Sequence, residues 1–381
     1  MKKINILGST GIIGKNTLKI IDRNFDNYII NFLLANNNYK LLAQQANKFK
    51  PNYIGLLNSK NYYNLKKLLK NKNIKIVTGN DCIEILKKNV NSTILAISGI
   101  SALELIEQSI KNSKKVGIVN KEALVSAGKF IIKLSKKNNT KIFPLDSEHY
   151  SIYNYLLYSN LNNFKNIKKI YLTASGGPFL YKKINSLKNV TLKQALKHPT
   201  WKMGLKNTID SSTMINKCLE IIEAHYLFNL QYDKLDIIIH PESLIHSIIN
   251  TKDGSLNLNM SNNDMSIPLF SFLNNNINNP YNNLDIKEIN KLRFLKPNKK
   301  QFPSLRIFDQ LNKNSLSDLI IFNTSNEYAV NLFIKNKIKY NEITNYIEKS
   351  LNKFEKINIY NIKDVILYQK YLYDKLHEQG I

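Results

Sequence analysis

The strongest constraint on the fold of this chain is an alternation that starts at residue 3. KINIL (3–7) reads as a buried parallel strand, followed by Gly8, Gly11 and Gly14 and an amphipathic run to about Arg23. Short β-branched runs recur at 28–35, 53–57, 74–78, 93–97, 115–119 and 141–145, with helical patterns between them. Strands separated by helices in this way predict an α/β fold with an N-terminal Rossmann-like, doubly wound parallel sheet. The glycines follow a GxxGxxG spacing and admit two readings. They serve a tight turn that needs positive φ, or they let the backbone approach a pyrophosphate seated on the following helix N-terminus.

Beyond residue 145 the pattern changes. A strand at 168–173 ends in Ala174-Ser175-Gly176-Gly177-Pro178, and DIIIHPESLIHSII (236–249) is strand-like. The segment NNNINNPYNN (274–283) is poor in apolar residues, and beyond it Ile343, Ile347, Leu351 and Phe354 recur at helical spacing, as does the run 362–378. The expected organisation is a dinucleotide-binding domain over 1–145, a central α+β catalytic domain over 146–273, a linker over 274–300 and a small helical bundle over 301–381. The net charge of +27 comes from lysines scattered through every segment. No basic stripe interleaved with aromatics stands out, so no nucleic-acid partner is predicted. No apolar run reaches about 18 residues, which predicts no membrane span. The N-terminus enters a strand directly, without a signal-like core, and Cys82 and Cys218 suggest neither a disulfide framework nor a cysteine metal site. The expectation is cytoplasmic.

Residues with chemical potential gather in the middle. Asn120-Lys121-Glu122 and Asp146-Ser147-Glu148-His149 follow predicted strands, where ligands of open α/β sheets bind. Asp146 and Glu148 are either paired carboxylates or the acidic first turn of a helix. The Ser175-Gly176-Gly177 turn is either a phosphate-accepting nest or an ordinary turn. From His198 to His225 the chain carries its only tryptophan, Trp201, and a helix expected to be N-capped by Asp210 and Ser211. Asn216 and Glu220, four apart, share a face of that helix. It is either an amphipathic surface helix or part of a site. If Asp146, Glu148 and Glu220 meet, each pair about 4 Å apart repels by about 4 kcal/mol at an effective dielectric near 20. A hard divalent cation relieves this, and Ser175, Ser211, Asn216 and Lys217 would then form a phosphate pocket beside it.

GSTGIIG (8–14), NKEALVSAG (120–128), PLDSEH (144–149), TASGGPF (173–179), HPTWKMG (198–204), DSSTMINKCLEIIEA (210–224), HPESLIHS (240–247) and NTSNEYAV (323–330) occur in order. Together they resemble the 1-deoxy-D-xylulose 5-phosphate reductoisomerases across essentially the whole chain. The resemblance implies conversion of 1-deoxy-D-xylulose 5-phosphate to 2-C-methyl-D-erythritol 4-phosphate, dependent on NADPH and on Mg²⁺ or Mn²⁺, with Co²⁺ a further candidate, in a homodimer. It implies Asp146, Glu148 and Glu220 as metal ligands. Lys121, Ser147, Glu148, Ser175, His198, Trp201, Ser211, Asn216, Lys217 and Glu220 contact substrate, with Lys121 stabilising oxyanion charge. Thr10, Gly11, Ile12, Ile13, Asn36, Asn37, Asn38, Asn120, Glu122, Gly204 and Met265 line the NADPH site. Residues 198–206 correspond to a flexible flap in which Trp201 closes over the substrate.

Three positions depart from the family pattern. Ile12 replaces a small residue and would reach a cofactor only through its backbone N–H. Asn36-Asn37-Asn38 stands where Gly-Lys-Asn is usual, removing a cation near the cofactor ribose, with Lys40 the nearest remaining one. Cys218 replaces a glycine. A semialdehyde-type dehydrogenase is the enzyme alternative, but it would call for a catalytic Cys/His pair, and neither cysteine lies in a suitable motif. His225 and His240 read as structural, and the role of His246 stays open.

Overall fold

The computed structural model describes residues 1–97, 99, 102–159, 164–201, 203–274, 278–281 and 283–378. Part of the expected linker (275–277 and 282) and Lys202 of the expected flap lie outside them. The described chain divides into two compact units that do not follow chain order. One comprises Met1–Asn120, Lys129–Ser147 and Asp264–Tyr281; the other comprises Lys121–Gly128, Glu148–Asn263 and Asn282–Ile381.

In the first unit, strands β1 (Lys2–Leu7), β2 (Tyr28–Ala35), β3 (Tyr53–Leu56), β4 (Lys75–Thr78), β5 (Val90–Leu95), β6 (Ser113–Ile118) and β7 (Lys141–Pro144) pair in parallel, in the order β4-β3-β2-β1-β5-β6-β7. Helices α1 (Ile12–Asn24), α2 (Tyr39–Phe49), α3 (Tyr62–Leu68), α4 (Asp81–Leu86), α5 (Leu103–Lys111) and α6 (Lys121–Lys137) connect them, the first eight residues of α6 belonging to the second unit. The doubly wound sheet expected from the alternation is therefore present. Its strand order reverses between β1 and β5, the crevice where such sheets hold ligands. Gly8 closes β1 at φ +87°, and a Cβ there would lie 2.3 Å from the carbonyl oxygen of Ala96. Only glycine lets the turn approach the β5 end this closely.

The second unit is built on a four-stranded sheet, β8 (Ile167–Ala174), β9 (Leu235–Ile239), β10 (Ile245–Thr251) and β11 (Leu256–Met260), in the order β11-β10-β8-β9. β8 and β9 are parallel, and β10 is antiparallel to both β8 and β11. The strand-like 236–249 segment is thus two strands, broken at His240–Leu244. Helices α7 (Ser147–Tyr158), α8 (Leu192–Ala195), α9 (Leu205–Ser212) and α10 (Ile215–Phe228) follow, and α11 (Ser266–Asn274) returns to the first unit, where Phe270 meets Phe25. The C-terminal helices α12 (Pro303–Gln310), α13 (Leu316–Ile334), α14 (Glu342–Lys353) and α15 (Ile362–Glu378) complete the second unit. Their core is continuous with that of α10 through Leu219, Ile222, Leu305, Phe308, Leu319 and Phe322. Leu295, inside the stretch expected as a linker, bridges to Ile239.

The His198–His225 stretch differs from its sequence reading in two ways. Asp210 and Ser211 do not cap a helix start; they lie in the last turn of α9. The carboxylate of Asp210 is taken by Lys206 and Asn326, and the Ser211 hydroxyl by His198, so neither is left to cap. The chain instead breaks at Met214 (φ +66°) before α10 begins at Ile215. The break is held from outside: Tyr340 Oη donates to Ser212 O (2.7 Å) and Ser304 Oγ to Thr213 O. The surface-helix reading also fails, because α10 buries Ile215, Lys217, Cys218, Leu219, Glu220, Ile221, Ile222, Glu223 and Ala224. A helix buried on all sides belongs to a core, whatever its polar residues.

Gly8→Ala should destabilise the chain by about 2 kcal/mol or more, combining positive-φ strain with a backbone clash. Urea unfolding followed by circular dichroism measures this. A change under about 0.5 kcal/mol, the level of a neutral surface substitution, would show that the turn tolerates a side chain.

Candidate active site

The second unit contains a buried cluster of opposite charges. Glu148 is in the first turn of α7, and Glu220 lies one and a half turns into α10. A carboxylate oxygen of one comes within 4.8 Å of one of the other. Two anions at that separation repel by about 3 kcal/mol at an effective dielectric near 20. Lys217 relieves this by binding both, donating to Glu148 Oε1 and sitting 2.6 Å from Glu220 Oε2. Lys121, at the start of α6, donates to Glu220 Oε1 (2.9 Å) and Asn216 Oδ1 (2.8 Å), and Asn216 donates to the same glutamate oxygen. Lys121, Lys217 and Glu220 are all buried. Asn216 and Glu220 meet because they are four apart on one helix, as their spacing predicts.

A second set holds the Ser-Gly-Gly turn to the C-terminal end of α9. His198 Nδ1 accepts from the backbone N–H groups of Thr200 (3.2 Å) and Trp201 (2.9 Å), so that nitrogen carries no proton. His198 Nε2 lies 3.1 Å from Ser175 Oγ and 3.0 Å from Ser211 Oγ. In the neutral ring Nε2 therefore bears the hydrogen and donates to a serine hydroxyl. Burial, and then the charge of Lys217, push the His198 pKa down to about 4, in accord with that tautomer. Ser175 Oγ also accepts from Gly177 N (3.1 Å). Gly177, at φ +65°, leaves only 3.0 Å between the place of a Cβ and Ser212 Cα. Its lack of a side chain is what lets the turn lie against α9. Trp201 lies beside His246, ring centroids 6.1 Å apart.

The structure thus brings Lys121, Glu148, Asn216, Lys217 and Glu220 into one cluster and Ser175, His198 and Ser211 into another. Asp146 and Ser147 belong to the first unit, and covalent geometry keeps the Asp146 Cα within about 7 Å of that of Glu148. Thr10, Gly11, Ile12, Ile13, Asn36, Asn37, Asn38, Asn120 and Met265 also belong to the first unit, whereas Glu122 and Gly204 belong to the second. Gly11 is the N-cap of α1 without a capping side chain, and Ile12, exposed, is its first residue. Asn36–Asn38 follow β2, where Asn38 Oδ1 caps α2 through Leu41 N (3.2 Å) and Asn37 Oδ1 accepts from Asn58 (2.8 Å). Asn120, after β6, ties the β5 end by donating to Ile97 O and Gly99 O, both 2.8 Å.

Three residues here were not singled out as site residues from the sequence. His149 Nε2 lies 2.9 Å from Glu220 O, its Nδ1 faces Glu223 Oε2 at 3.6 Å, and both side chains are fully buried. Lys206 bridges Glu122 and Asp210. The available signals were the i,i+3 pair Glu220/Glu223 and the i,i+4 pair Lys206/Asp210. His225 and His240 are structural, bonding through Nδ1 to Leu230 O (2.6 Å) and Arg293 O (3.0 Å). Cys218 is buried in the core, its thiol toward Ser304 O of α12. Among the described residues no helix is long and apolar enough to cross a membrane.

A parallel sheet with a glycine-turned crevice, joined in one chain to a buried lysine–carboxylate cluster, defines a class: α/β enzymes with a dinucleotide-binding fold and a separate polar reaction centre. Family models described as 1-deoxy-D-xylulose 5-phosphate reductoisomerase match residues 4–128, and models of that enzyme's C-terminal domains match 142–228 and 260–372. The chain is 39% identical over 372 residues to the reductoisomerase of Clostridium novyi (strain NT), covering 96% of each. It is 38% identical to that of Pelagibacter ubique (strain HTCC1062), covering 100% of both. It superposes on the Zymomonas mobilis enzyme solved with NADPH at a TM-score of 0.89, with 31% identity and 98% and 97% of the two chains covered. A reductoisomerase solved with NADPH, fosmidomycin and magnesium gives 0.91, with 31% identity and full coverage of both chains. The chain belongs to the 1-deoxy-D-xylulose 5-phosphate reductoisomerase family.

The His198 ring should remain neutral down to about pH 5 and titrate near pH 4. Because its folded value lies below the unfolded value near 6.5, its contribution to stability is complete above about pH 6.5 and is lost as pH falls toward 4. Histidine-ring NMR titration, with His198→Gln to assign the signal, tests this. A midpoint above about 6 would show that burial and Lys217 do not disfavour the charged ring.

Proposed function

We propose that this chain converts 1-deoxy-D-xylulose 5-phosphate to 2-C-methyl-D-erythritol 4-phosphate, using NADPH and a divalent cation. The observation that carries the proposal is the Lys121–Glu220–Lys217–Glu148 cluster, in a chain whose family is defined by that reaction. The residues fit both groups. Glu148 and Glu220, with Asp146 one residue before Ser147, offer hard oxygen donors suited to Mg²⁺ or Mn²⁺, and flexible lysines now neutralise the first two. For the cofactor, the start of α1 carries no capping side chain, so its first backbone N–H groups can meet a pyrophosphate, and Gly8 keeps the turn before it tight against the β5 end.

When bound, the cation supplies Lewis acidity toward the ketone and hydroxyl oxygens, and NADPH supplies the hydride. The protein's part is to position and to balance charge. Asp146, Glu148 and Glu220 hold the cation. Lys121, already aimed at Glu220, meets oxyanion charge as the carbon–carbon bond breaks and re-forms. Ser175, Ser211, Asn216 and Lys217 seat the phosphate, and neutral His198 fixes Ser175 and Ser211 for it. Ser147 contacts the substrate, and Trp201, on the 198–206 segment, covers it and keeps the fragments together for re-addition. Thr10, Gly11, Ile12, Ile13, Asn36–Asn38, Asn120, Glu122, Gly204 and Met265 line the cofactor. A homodimer and a cytoplasmic location belong to the same reading.

NADPH absorbance should fall when the purified chain meets 1-deoxy-D-xylulose 5-phosphate with Mg²⁺, and a chelator should stop it. Glu220→Gln should reduce turnover by about a hundredfold or more, because it removes a carboxylate that holds the cation, whereas His240→Gln should leave it largely intact. Chelator-insensitive turnover, or equal effects of the two substitutions, would remove the basis for this assignment.

A further inference from the structure

Immediately after the segment that carries Trp201 lies a second buried charge network. Lys206, the second residue of α9, donates to Glu122 Oε1 at 2.8 Å and to Asp210 Oδ2 at 2.6 Å. Its side chain keeps 19% of its surface exposed, against 4% and 1% for the two carboxylates. Asp210 is anchored in turn by Asn326 Nδ2 of α13 (3.0 Å). Burial opposes the Lys206 charge, but Asp210 and Glu122 outweigh it and hold the ammonium above its ordinary range. Burial likewise opposes the Glu122 carboxylate, and Lys206 overcomes it. Burial raises Glu327, and Glu122 and Asp210 add to the rise against the pull of Lys206.

Two observations separate this network from ordinary packing. Replacing a buried ion pair by apolar residues is often neutral or stabilising, so such a network is weak support for stability and better suited to fixing a register. The second is its place in the chain. Gly204, two residues earlier, is the N-cap of α9, its carbonyl accepting from the N–H and the hydroxyl of Thr208, both at 3.0 Å, so the clamp sits at the point where the segment joins the helix. Glu122, which receives Lys206, adjoins Lys121, which holds Glu220. The first turn of α6 therefore carries both ion pairs.

We propose that Lys206 is a positioning residue. Gripped by Glu122 and Asp210, it is the fixed pivot of the 198–204 segment and links that segment, through the first turn of α6, to the Lys121–Glu220 pair. This rests on the reading of 198–206 as a cover for the substrate.

The test uses the full chain with Lys206→Met, Lys206→Arg and, as a second way of weakening the clamp, Asp210→Asn. Trp201 is the only tryptophan, so its fluorescence reports on the segment alone. Without any ligand, Lys206→Met should increase the fast component of Trp201 anisotropy decay by about twofold, with the far-ultraviolet circular dichroism retained. In turnover it should raise KM and lower kcat together, each by about tenfold, as loss of a hinge anchor does. Lys206→Arg should restore most of both, because a cation still reaches the two carboxylates. Unchanged Trp201 motion in folded Lys206→Met overturns the pivot. If that variant does not fold, unchanged motion in Asp210→Asn overturns it. A lack of NADPH oxidation by the unsubstituted chain would instead count against the proposed reaction, and the ligand-free Trp201 measurement would still decide the pivot.

Discussion

The second unit is organised by like charges forced together. Glu148 and Glu220 come within 4.8 Å of each other, Glu220 buried and Glu148 partly so, and Lys217 and Lys121 offset the repulsion while Asn216 donates to Glu220. α10 is buried on all sides although it carries Lys217, Glu220 and Glu223, because each of these charges faces a partner inside the protein. The main-chain oxygen of Glu220 lies against the His149 ring, so even the backbone at this residue is fixed from α7. Removing one partner from such a cluster costs far more than the cluster contributes as a whole, since it strands a buried charge.

What the sequence could convey followed from the range of the interactions involved. The seven parallel strands were legible because each is a local run of apolar residues, and the Gly8 turn because its conformation is set by its own φ. The Asn216–Glu220 contact was legible from helical spacing. The break at Met214 was not: it is enforced by Ser304 and Tyr340, 91 and 128 residues from the carbonyls they hold. Nor was the bond between Lys206 and Glu122, 84 residues apart. Asp210 looked like a helix cap because its short side chain suits one, but Lys206 on the same helix and Asn326 of α13 hold the carboxylate.

The departures from the family pattern also acquire physical content. Cys218 fills core space beside α12, and burial pushes its thiol pKa far up, so it is packing and not a nucleophile. Asn38 caps α2 and Asn37 holds Asn58, so two of the three asparagines after β2 already have structural work. Whatever they contribute to a cofactor comes in addition to shaping that strand end.

The Lys121–Lys217–Glu148–Glu220 cluster balances in formal charge as it stands, two lysines against two glutamates. Under the proposed reading, a divalent cation held by Glu148 and Glu220 would compete with Lys217 for the same oxygens, so Lys217 is the side chain that would have to shift. Its flexible stem would permit that movement where the rigid fork of an arginine, committed to a carboxylate in two bonds, would resist it.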